Sequence, residues 1–255
     1  MSLRIDLNAD VGESFGAYTI GHDEGLMRSV TSVSIAAGFH GGDPSVLRHT
    51  IRLAHAHGVA VGAHPGLPDL VGFGRRELNV TPREAEDLVL YQVAAVGGVA
   101  AAEAVRLQHV KPHGALYNMA ARQQPLAAAI ARAVAAFDRS LILVGPSGSA
   151  LLDAGRAAGL RVASEVFGDR AYRADGSLAP RSTPGSVIHD AAAVLARSLR
   201  MVKDRLVDAV DGTAISLEAE TICVHGDTPG ADDLAARLRA GLEAAGVTIR
   251  AIGSP

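Results

Sequence analysis

The sequence predicts an α/β protein and favours a closed β/α barrel over an open doubly wound sheet. Short, continuously apolar runs alternate with longer segments of helical periodicity, and nearly every apolar run ends in an ionisable or imidazole side chain. Continuous apolar runs are typical of parallel strands buried on both faces. Polar residues at every strand end indicate one shared barrel mouth, whereas an open sheet concentrates them at a single switch point.

Eight segments have the length and composition of strands. They are residues 4–10, 30–37, 59–64, 107–112, 141–145, 161–167, 220–225 and 247–252. Apolar side chains recur at helical spacing over residues 44–58, 82–104 and 187–207. Asp43 and Thr81 each place a capping oxygen before a proline, which predicts a helix start at both positions.

Length and composition restrict the classes of function. The 255 residues suit a single β/α barrel domain over residues 1–255. The 24 basic residues are scattered among 27 acidic ones, so nucleic acid is not an expected partner. No secretory signal is visible and no apolar stretch approaches the ~20 residues of a membrane span, so we expect a cytoplasmic protein with no membrane partner. The single cysteine, Cys223, lies in an apolar run and is expected to be a buried structural thiol.

The first strand carries a row of polar side chains. Asp6, Asn8 and Asp10 are spaced two apart and project from the same side. Glu13 follows in a glycine-flanked turn. Charged groups are costly in an aliphatic interior unless they are paired. Asp10 and Glu13 are therefore predicted as catalytic residues at a solvated mouth and Asn8 as a binding residue, with a structural cap as the alternative role.

Other strand ends carry imidazole or ammonium groups. His40 follows the second strand between glycines, and His64 ends the third. Lys111 and His113 lie on one side of the fourth strand end. These groups suit anion neutralisation and proton transfer, and we predict all four as catalytic residues. A single buried histidine is more often structural, but with His225 there are four at strand ends, which favours a common site.

The loops after the strands supply candidates for binding substrate or nucleotide. They are Asp43, Arg75, Arg76, Glu165, Asp169, Arg170, His225 and Asp227. Arg75 or Arg76 could form a two-pronged contact with a carboxylate or phosphate, and a surface ion pair explains either one equally well. The turn at residues 145–149 lacks the Gly-Lys-Ser/Thr ending of a phosphate-binding loop, so an ordinary strand-to-helix turn is preferred there.

Six segments, taken together, resemble the LamB/YcsF family. They are DLNADVGESFG, GFHGGDP, GAHPGLPDLVGFGRR, KPHGALYN, EVFGDRAY and CVHGDTPG, and they extend from residue 6 to residue 230. The resemblance implies a distorted seven-stranded (β/α) barrel similar to those of glycoside hydrolases and sugar deacetylases. It also implies ATP-dependent opening of 5-oxoproline to L-glutamate, in a complex with 5-oxoprolinase subunits B and C.

One segment departs from the family pattern. Ser34, Ala37 and Gly41 occupy positions where the family usually has Asn, Cys and Ala. Either that cysteine has no essential role in this chain, or the activity of this member is altered.

The implied reaction suggests roles for the predicted residues. Phosphorylation of the lactam oxygen by ATP makes it a leaving group, so the site must hold phosphate, a divalent ion and water. Asp10 and Glu13 would hold Mg²⁺ or orient the water, and Lys111 with Arg75 or Arg76 would neutralise phosphate. The histidines would move protons. The metal itself stays open, with Asp10, Glu13 and His64 as candidate ligands, and no organic redox cofactor is expected.

Two other functions stay open. Carboxylates with histidines also suit a transition-metal site for deacetylation or sugar hydrolysis, on the analogy of the fold. A non-catalytic subunit that binds substrate or organises its partners is the third possibility.

Overall fold

The computed structural model describes residues 3–227 and 230–254. In this part of the chain the strands are β1 Arg4–Val11, β2 Ser32–Ala36, β3 Ala60–His64, β4 Leu107–Val110, β5 Ile142–Pro146, β6 Arg161–Phe167, β7 Leu206–Asp208, β8 Ala214–Ser216, β9 Thr221–Val224 and β10 Thr248–Ile249. The helices are α1 Asp23–Met27, α2 Pro44–Ala56, α3 Pro82–Ala102, α4 Gly114–Arg122, α5 Gln124–Phe137, α6 Ala150–Ala157, α7 Ala191–Asp204 and α8 Ala231–Ala244.

Seven parallel strands close into a barrel. Their order is β1-β2-β3-β4-β5-β6-β9, and β9 pairs with β1 to complete the ring. The predicted closed barrel is therefore confirmed, and the open doubly wound sheet is not observed. Because parallel strands place their carboxyl ends at the same end of a barrel, the polar residues that follow them converge on one mouth.

The eighth predicted strand, residues 247–252, does not take part in the ring. Only its second and third residues form a strand, β10, which pairs with the first two residues of β1. A second pair, β7 and β8, forms an antiparallel hairpin separate from the barrel. Neither feature has a strong sequence signal, because each strand is only two or three residues long.

The three predicted helices are confirmed with shorter ends. Asp43 accepts hydrogen bonds from the amides of Ser45 and Val46 at the start of α2. Thr81 and Glu84 form a capping box at the start of α3. The prediction over 187–207 is too long, since α7 starts after Asp190 and ends at Asp204, and the next residue, Arg205, adopts a left-handed conformation before β7.

Helix α3 corrects the expectation that no segment is long and apolar enough to span a membrane. By length and composition its 21 residues meet that requirement. In the structure α3 packs against α5, β3 and β4 and buries Val89, Val93 and Val96. An outer helix that covers a barrel has such an apolar face, so its composition is explained by this packing.

The barrel interior contains a buried carboxyl group that is fully hydrogen-bonded. Asp6 is 1% exposed and accepts hydrogen bonds from the hydroxyl groups of Thr31, Ser32 and Thr221. Burial raises the pKa of Asp6 despite these donors. Among the described residues no cation forms an ion pair with Asp6, so the hydroxyl groups supply the hydrogen bonds that a buried carboxyl group requires.

Gly226 allows the loop after β9 to approach the end of β1. A Cβ atom at this position would lie 2.3 Å from the backbone carbonyl oxygen of Asp10. Backbone meets backbone here, so the clash cannot be relieved by a side-chain rotation. A side chain at residue 226 would therefore force the loop after β9 away from the end of β1.

We expect Gly226→Ala to lower the free energy of unfolding by about 1–3 kcal/mol, as overpacked sites do. Gly98→Ala is the matched control, because Gly98 lies in α3 with open space around it and should gain about 0.5–1 kcal/mol. Urea unfolding of both variants gives the comparison. Equal midpoints for the two variants would show that this close approach does not constrain the fold.

Candidate active site at the barrel mouth

A cavity of about 830 Å³ opens at the carboxyl ends of the barrel strands. Its volume lies within the range of small-molecule sites. Ten of the predicted site residues line it: Asp10, Glu13, His64, Arg75, Lys111, His113, Glu165, Arg170, His225 and Asp227. Glu13 is only 4% exposed, so it lies in a more buried position than the solvated mouth predicted for it.

Three further predicted residues lie behind the lining and contact it. Asn8 is hydrogen-bonded to Lys111 and Glu165. His40 stacks on His113 with ring centroids 3.7 Å apart. Asp169 lies 2.8 Å from Nδ1 of His225. These residues are placed to position the groups that line the cavity.

Two predicted site residues, Asp43 and Arg76, lie away from the cavity lining. Asp43 uses its carboxylate on the amides that begin α2 and on the amide of Gly16. Arg76 pairs with the buried carboxylate of Asp69 within the same loop. Both side chains are satisfied locally, and their contact with substrate or nucleotide stays a prediction.

Lys111 forms the charged centre of the site. Its ammonium nitrogen lies 2.6 Å from Asp10 Oδ1, 2.7 Å from Asn8 Oδ1 and 2.9 Å from Glu165 Oε1. Burial alone would lower the pKa of Lys111, but the neighbouring Asp10, Cys223 and Glu165 outweigh it and hold this pKa well above its ordinary value. All three N–H groups are occupied, so Lys111 is placed to position Asp10 and Glu165. The ammonium group therefore has no N–H left to donate to the phosphate that was predicted to bind it.

Glu165 is held by donors from three elements. Tyr117 donates its hydroxyl to Oε2 at 2.6 Å, and Asn8 donates its amide to Oε1 at 2.9 Å. With Lys111 these donors leave the carboxylate of Glu165 well satisfied although it is buried. Burial and the nearby Glu165 raise the pKa of Tyr117 well above its ordinary value, so the phenol stays protonated.

Sequence reasoning missed two neighbours of Lys111. Tyr117 follows His113 by four residues, so both lie on one face at the start of α4. Cys223 lies two residues after Thr221 on the same side of β9, with its sulfur 3.4 Å from the ammonium group of Lys111. Burial raises the pKa of the Cys223 thiol well above its ordinary value. Only the spacing of Tyr117 and Cys223 along the chain could have indicated that they lie near Lys111, because tyrosine and cysteine are both common in protein cores.

Asp10 connects the two halves of the site. Its Oδ1 contacts Lys111, and its Oδ2 lies 3.4 Å from His64 Nε2. Burial alone would raise the pKa of Asp10, but His64 and Lys111 outweigh it and hold this pKa well below its ordinary value. Asp10 is therefore an ionised carboxylate at the cavity wall at neutral pH.

Glu13, His40, His64 and His113 form a buried cluster on the other side of Asp10. One nitrogen or oxygen atom from each lies within 4.8 Å of those from the others, so this set could hold a metal ion. Burial lowers the pKa values of His40 and His113 well below the ordinary value. Burial and the charge of Asp10 raise the pKa of Glu13 well above its ordinary value. The surroundings thus favour the uncharged forms of His40, His113 and Glu13.

Gly74 makes room for the stacked pair of rings in this cluster. Its φ is +62°, and a Cβ atom there would lie 2.7 Å from His40 Cβ and 2.8 Å from His113 Cδ2. The loop that carries Gly74 also supplies the carbonyl oxygen of Phe73, which accepts a hydrogen bond from His113. The long loop after β3 therefore shapes the imidazole cluster.

Two arginines give the cavity a cationic wall. Arg170 is 6% exposed and donates to the carbonyl oxygens of Ala179 and Ser186. Among the described residues it forms no ion pair within 4.0 Å, and burial with the nearby Arg181 lowers its pKa to about 10. Arg75 pairs with Asp227 and lies over the Phe73 ring. A buried guanidinium without a carboxylate partner favours an anionic ligand at this wall.

Comparison with known proteins identifies the family. The model of the LamB/YcsF family matches residues 5–255. The chain belongs to the LamB/YcsF family. The sequence resemblance is thereby confirmed over nearly the whole length.

Relatives in the LamB/YcsF family match end to end. The chain is 58% identical to the 5-oxoprolinase A subunit of Chloroflexus aggregans, over 97% of this chain and 98% of that protein. It is 55% identical to the 5-oxoprolinase A subunit of Bordetella pertussis, over 98% of this chain and 100% of that protein. The crystal structure of a lactam utilization protein from Thermus thermophilus matches with a TM-score of 0.92 and 51% identity, over 98% and 100% of the two chains.

The structure accounts for two of the positions that depart from the LamB/YcsF pattern. Ser34 Oγ lies 3.3 Å from Nε2 of the buried His109. A Cβ atom at Gly41 would lie 2.9 Å from the backbone oxygen of Glu13, so this chain holds the two segments in closer contact than an alanine permits. Ala37 packs against the hydrophobic core, and the thiol of this site is that of Cys223.

We expect Lys111→Met to lower the free energy of unfolding at pH 7 by about 3–5 kcal/mol, because Asp10 and Glu165 are left as buried charges without a cation. The native pKa of Asp10 is depressed, so its stabilising contribution is present above pH ~4 and is lost as the pH falls below that value. The deficit of the variant should therefore shrink as the solution is acidified and the two carboxyl groups take up protons.

Denaturant unfolding of wild type and variant between pH 7 and pH 3 measures this deficit. Lys203 is the other lysine of the chain and is exposed near the end of α7. Lys203→Met should change the free energy of unfolding by no more than about 0.5 kcal/mol. A Lys111→Met deficit as small as that of this control, or one independent of pH, would contradict the proposed charge balance.

Proposed function

We propose that this chain is the component of an ATP-dependent 5-oxoprolinase that binds 5-oxoproline in the barrel-mouth cavity and opens its ring to L-glutamate. The observation that carries the proposal is the end-to-end similarity, at 55–58% identity, to proteins named as the A subunit of 5-oxoprolinase. The name of the Thermus relative, a lactam utilization protein, supports the same class of substrate. Among the groups that line the cavity, the carboxylate of Asp10 and the guanidinium groups of Arg75 and Arg170 suit this chemistry.

The reaction must overcome the resistance of a lactam to hydrolysis. In the proposed sequence, the γ-phosphoryl group of ATP is transferred to the lactam oxygen, and water adds to the carbonyl carbon. The C–N bond then breaks as the nitrogen takes a proton, and a second water hydrolyses the resulting γ-glutamyl phosphate to glutamate and phosphate. Phosphorylation is needed because resonance makes an amide carbonyl a poor target for water.

Asp10 is the residue we assign to orient the attacking water. Its carboxylate lines the cavity and is held ionised, with one oxygen fixed by Lys111 and the other facing His64. A fixed carboxylate can accept a hydrogen bond from water and direct the water's lone pair at the carbonyl carbon. Lys111 acts here as a positioning residue, since its donors are engaged with protein groups.

The cationic wall is the part of the cavity that we assign to the anionic groups of the substrates. Arg170 lines the cavity without an ion-pair partner among the described residues, and Arg75 lines it beside Asp227. The carboxylate of 5-oxoproline and the phosphates of ATP both suit a guanidinium group. The cavity volume exceeds the needs of a five-membered lactam alone, which is consistent with space for part of a second substrate.

We further propose that the protein works in the cytoplasm with 5-oxoprolinase subunits B and C, and that ATP is used as its Mg²⁺ complex. The word subunit in the names of the relatives supports assembly into a larger enzyme. Assays of each component alone and in combination would show which one phosphorylates the lactam and which one opens the ring.

The test is release of glutamate and phosphate from 5-oxoproline and ATP by this chain with its two partners. Asp10→Asn keeps the size of the side chain and removes its charge, so we expect turnover to fall by about 10²–10⁴-fold. Asp43→Asn is the matched control, because asparagine caps a helix as well as aspartate and Asp43 lies away from the cavity. This control should retain full turnover.

Two results would count against the proposal. One is full ATP-coupled turnover by a folded Asp10→Asn variant. The other is hydrolysis of acetylated sugars by this chain without ATP, together with no glutamate release in the reconstituted enzyme, which would favour the deacetylase alternative.

A further inference from the structure

Two backbone carbonyl groups fix the protonation of two facing imidazole rings. His64 Nδ1 lies 2.6 Å from the carbonyl oxygen of Lys111, and His113 Nε2 lies 2.8 Å from that of Phe73. A carbonyl oxygen only accepts hydrogen bonds, so both of these ring nitrogens carry a proton. The other nitrogens, His64 Nε2 and His113 Nδ1, are 2.9 Å apart and both present lone pairs in the neutral rings. Two lone pairs at this distance require a cation or a shared proton between them.

The neighbouring atoms of the cluster lack partners. Glu13 Oε1 and both ring nitrogens of His40 are buried and have no hydrogen-bond partner among the described residues. Glu13 Oε1 lies 3.4 Å from His113 Nδ1 and 3.5 Å from His40 Nε2. A buried polar atom without a partner destabilises the fold, because it has lost its hydrogen bonds to water. A shared proton satisfies one pair of atoms, whereas a metal ion can be bound by all four residues at once.

We infer that a divalent metal ion of the zinc class binds to Glu13, His40, His64 and His113. Imidazole nitrogens with one carboxylate oxygen favour zinc, cobalt, nickel or iron, whereas Mg²⁺ prefers an all-oxygen set. The inferred ligand set differs from the one expected for Mg²⁺ at Asp10 and Glu13, which stays a prediction. The two carbonyl groups play the part of the outer hydrogen-bond acceptors that orient metal-binding histidines.

The position of the cluster gives the ion access to the cavity. Glu13, His64 and His113 all line it. A zinc-class ion in such a position supplies a Lewis acid or lowers the pKa of a bound water. The inference goes beyond the proposed function and stands without it, since it rests on the ring nitrogens and their partners alone.

The test uses the full chain, freed of metal with a chelator and titrated with Zn²⁺, Co²⁺ or Mg²⁺ by calorimetry. We expect one Zn²⁺ or Co²⁺ per chain, no saturable binding of Mg²⁺ at the same concentrations, and the intense visible bands of Co²⁺ in a site of low coordination number. His113→Gln should weaken Zn²⁺ binding by at least about 10–100-fold, since the loss of an outer partner alone has that effect.

His22→Gln is the matched control for adventitious binding. His22 is exposed and lies 2.9 Å from Asp232, so it is a surface pair with metal-binding groups of the same kinds. This variant should bind Zn²⁺ as tightly as wild type. If His113→Gln fails to fold, the Zn²⁺ affinity of Glu13→Gln is compared with that of the wild type instead. The Co²⁺ spectrum of the wild type then shows whether imidazole groups bind the ion.

Three results would overturn the inference. They are no stoichiometric Zn²⁺ or Co²⁺ in the wild type, undiminished binding in folded His113→Gln and Glu13→Gln variants, and loss of binding in His22→Gln. None of these measurements uses 5-oxoproline or ATP, so failure of the proposed function would leave the metal result unchanged.

Discussion

One buried ammonium group holds the active end of the barrel together. Lys111 follows β4, and its three donors contact side chains from β1 and β6 on the other walls of the ring. Two carboxylates and one lysine leave a net negative charge in a space with little water. A buried charge of this kind is costly unless hydrogen-bond donors surround it. The asparagine and the phenol that complete the network are therefore as necessary as the charges, because each remaining oxygen needs a donor.

Asp10 divides the site into two regions of different chemistry. On the Lys111 side the groups are ionised and hydrogen-bonded, and their arrangement is fixed by complementary charge. On the His64 side are three imidazole rings and a carboxyl group, and buried atoms of Glu13 and His40 lack partners among the residues that the structure describes. The first region is complete in the protein alone, whereas the second has the properties of a site built for a ligand.

The sequence was informative wherever a physical rule relates position along a strand to position in space. Parallel strands in a ring bring their carboxyl ends together, so His64, Lys111 and Glu165 could be assigned to one mouth from their positions alone. The rule does not hold for side chains that their own loop can satisfy, and Asp43 and Arg76 lie outside the cavity lining for this reason. It also gives no account of β10 or the β7–β8 hairpin, whose short pairings depend on what the rest of the chain leaves exposed.

The closure of the ring by β9 affects the order in which the protein matures during synthesis. Asn8 of β1 is hydrogen-bonded to Thr221, which lies 213 residues further along the chain. Contacts of such separation form late, because the intervening chain must first be organised. In a nascent polypeptide still attached to the ribosome, β1 therefore lacks its pairing with β9 until β9 emerges. Until then the exposed edge of β1 is a surface that other chains or chaperones can engage.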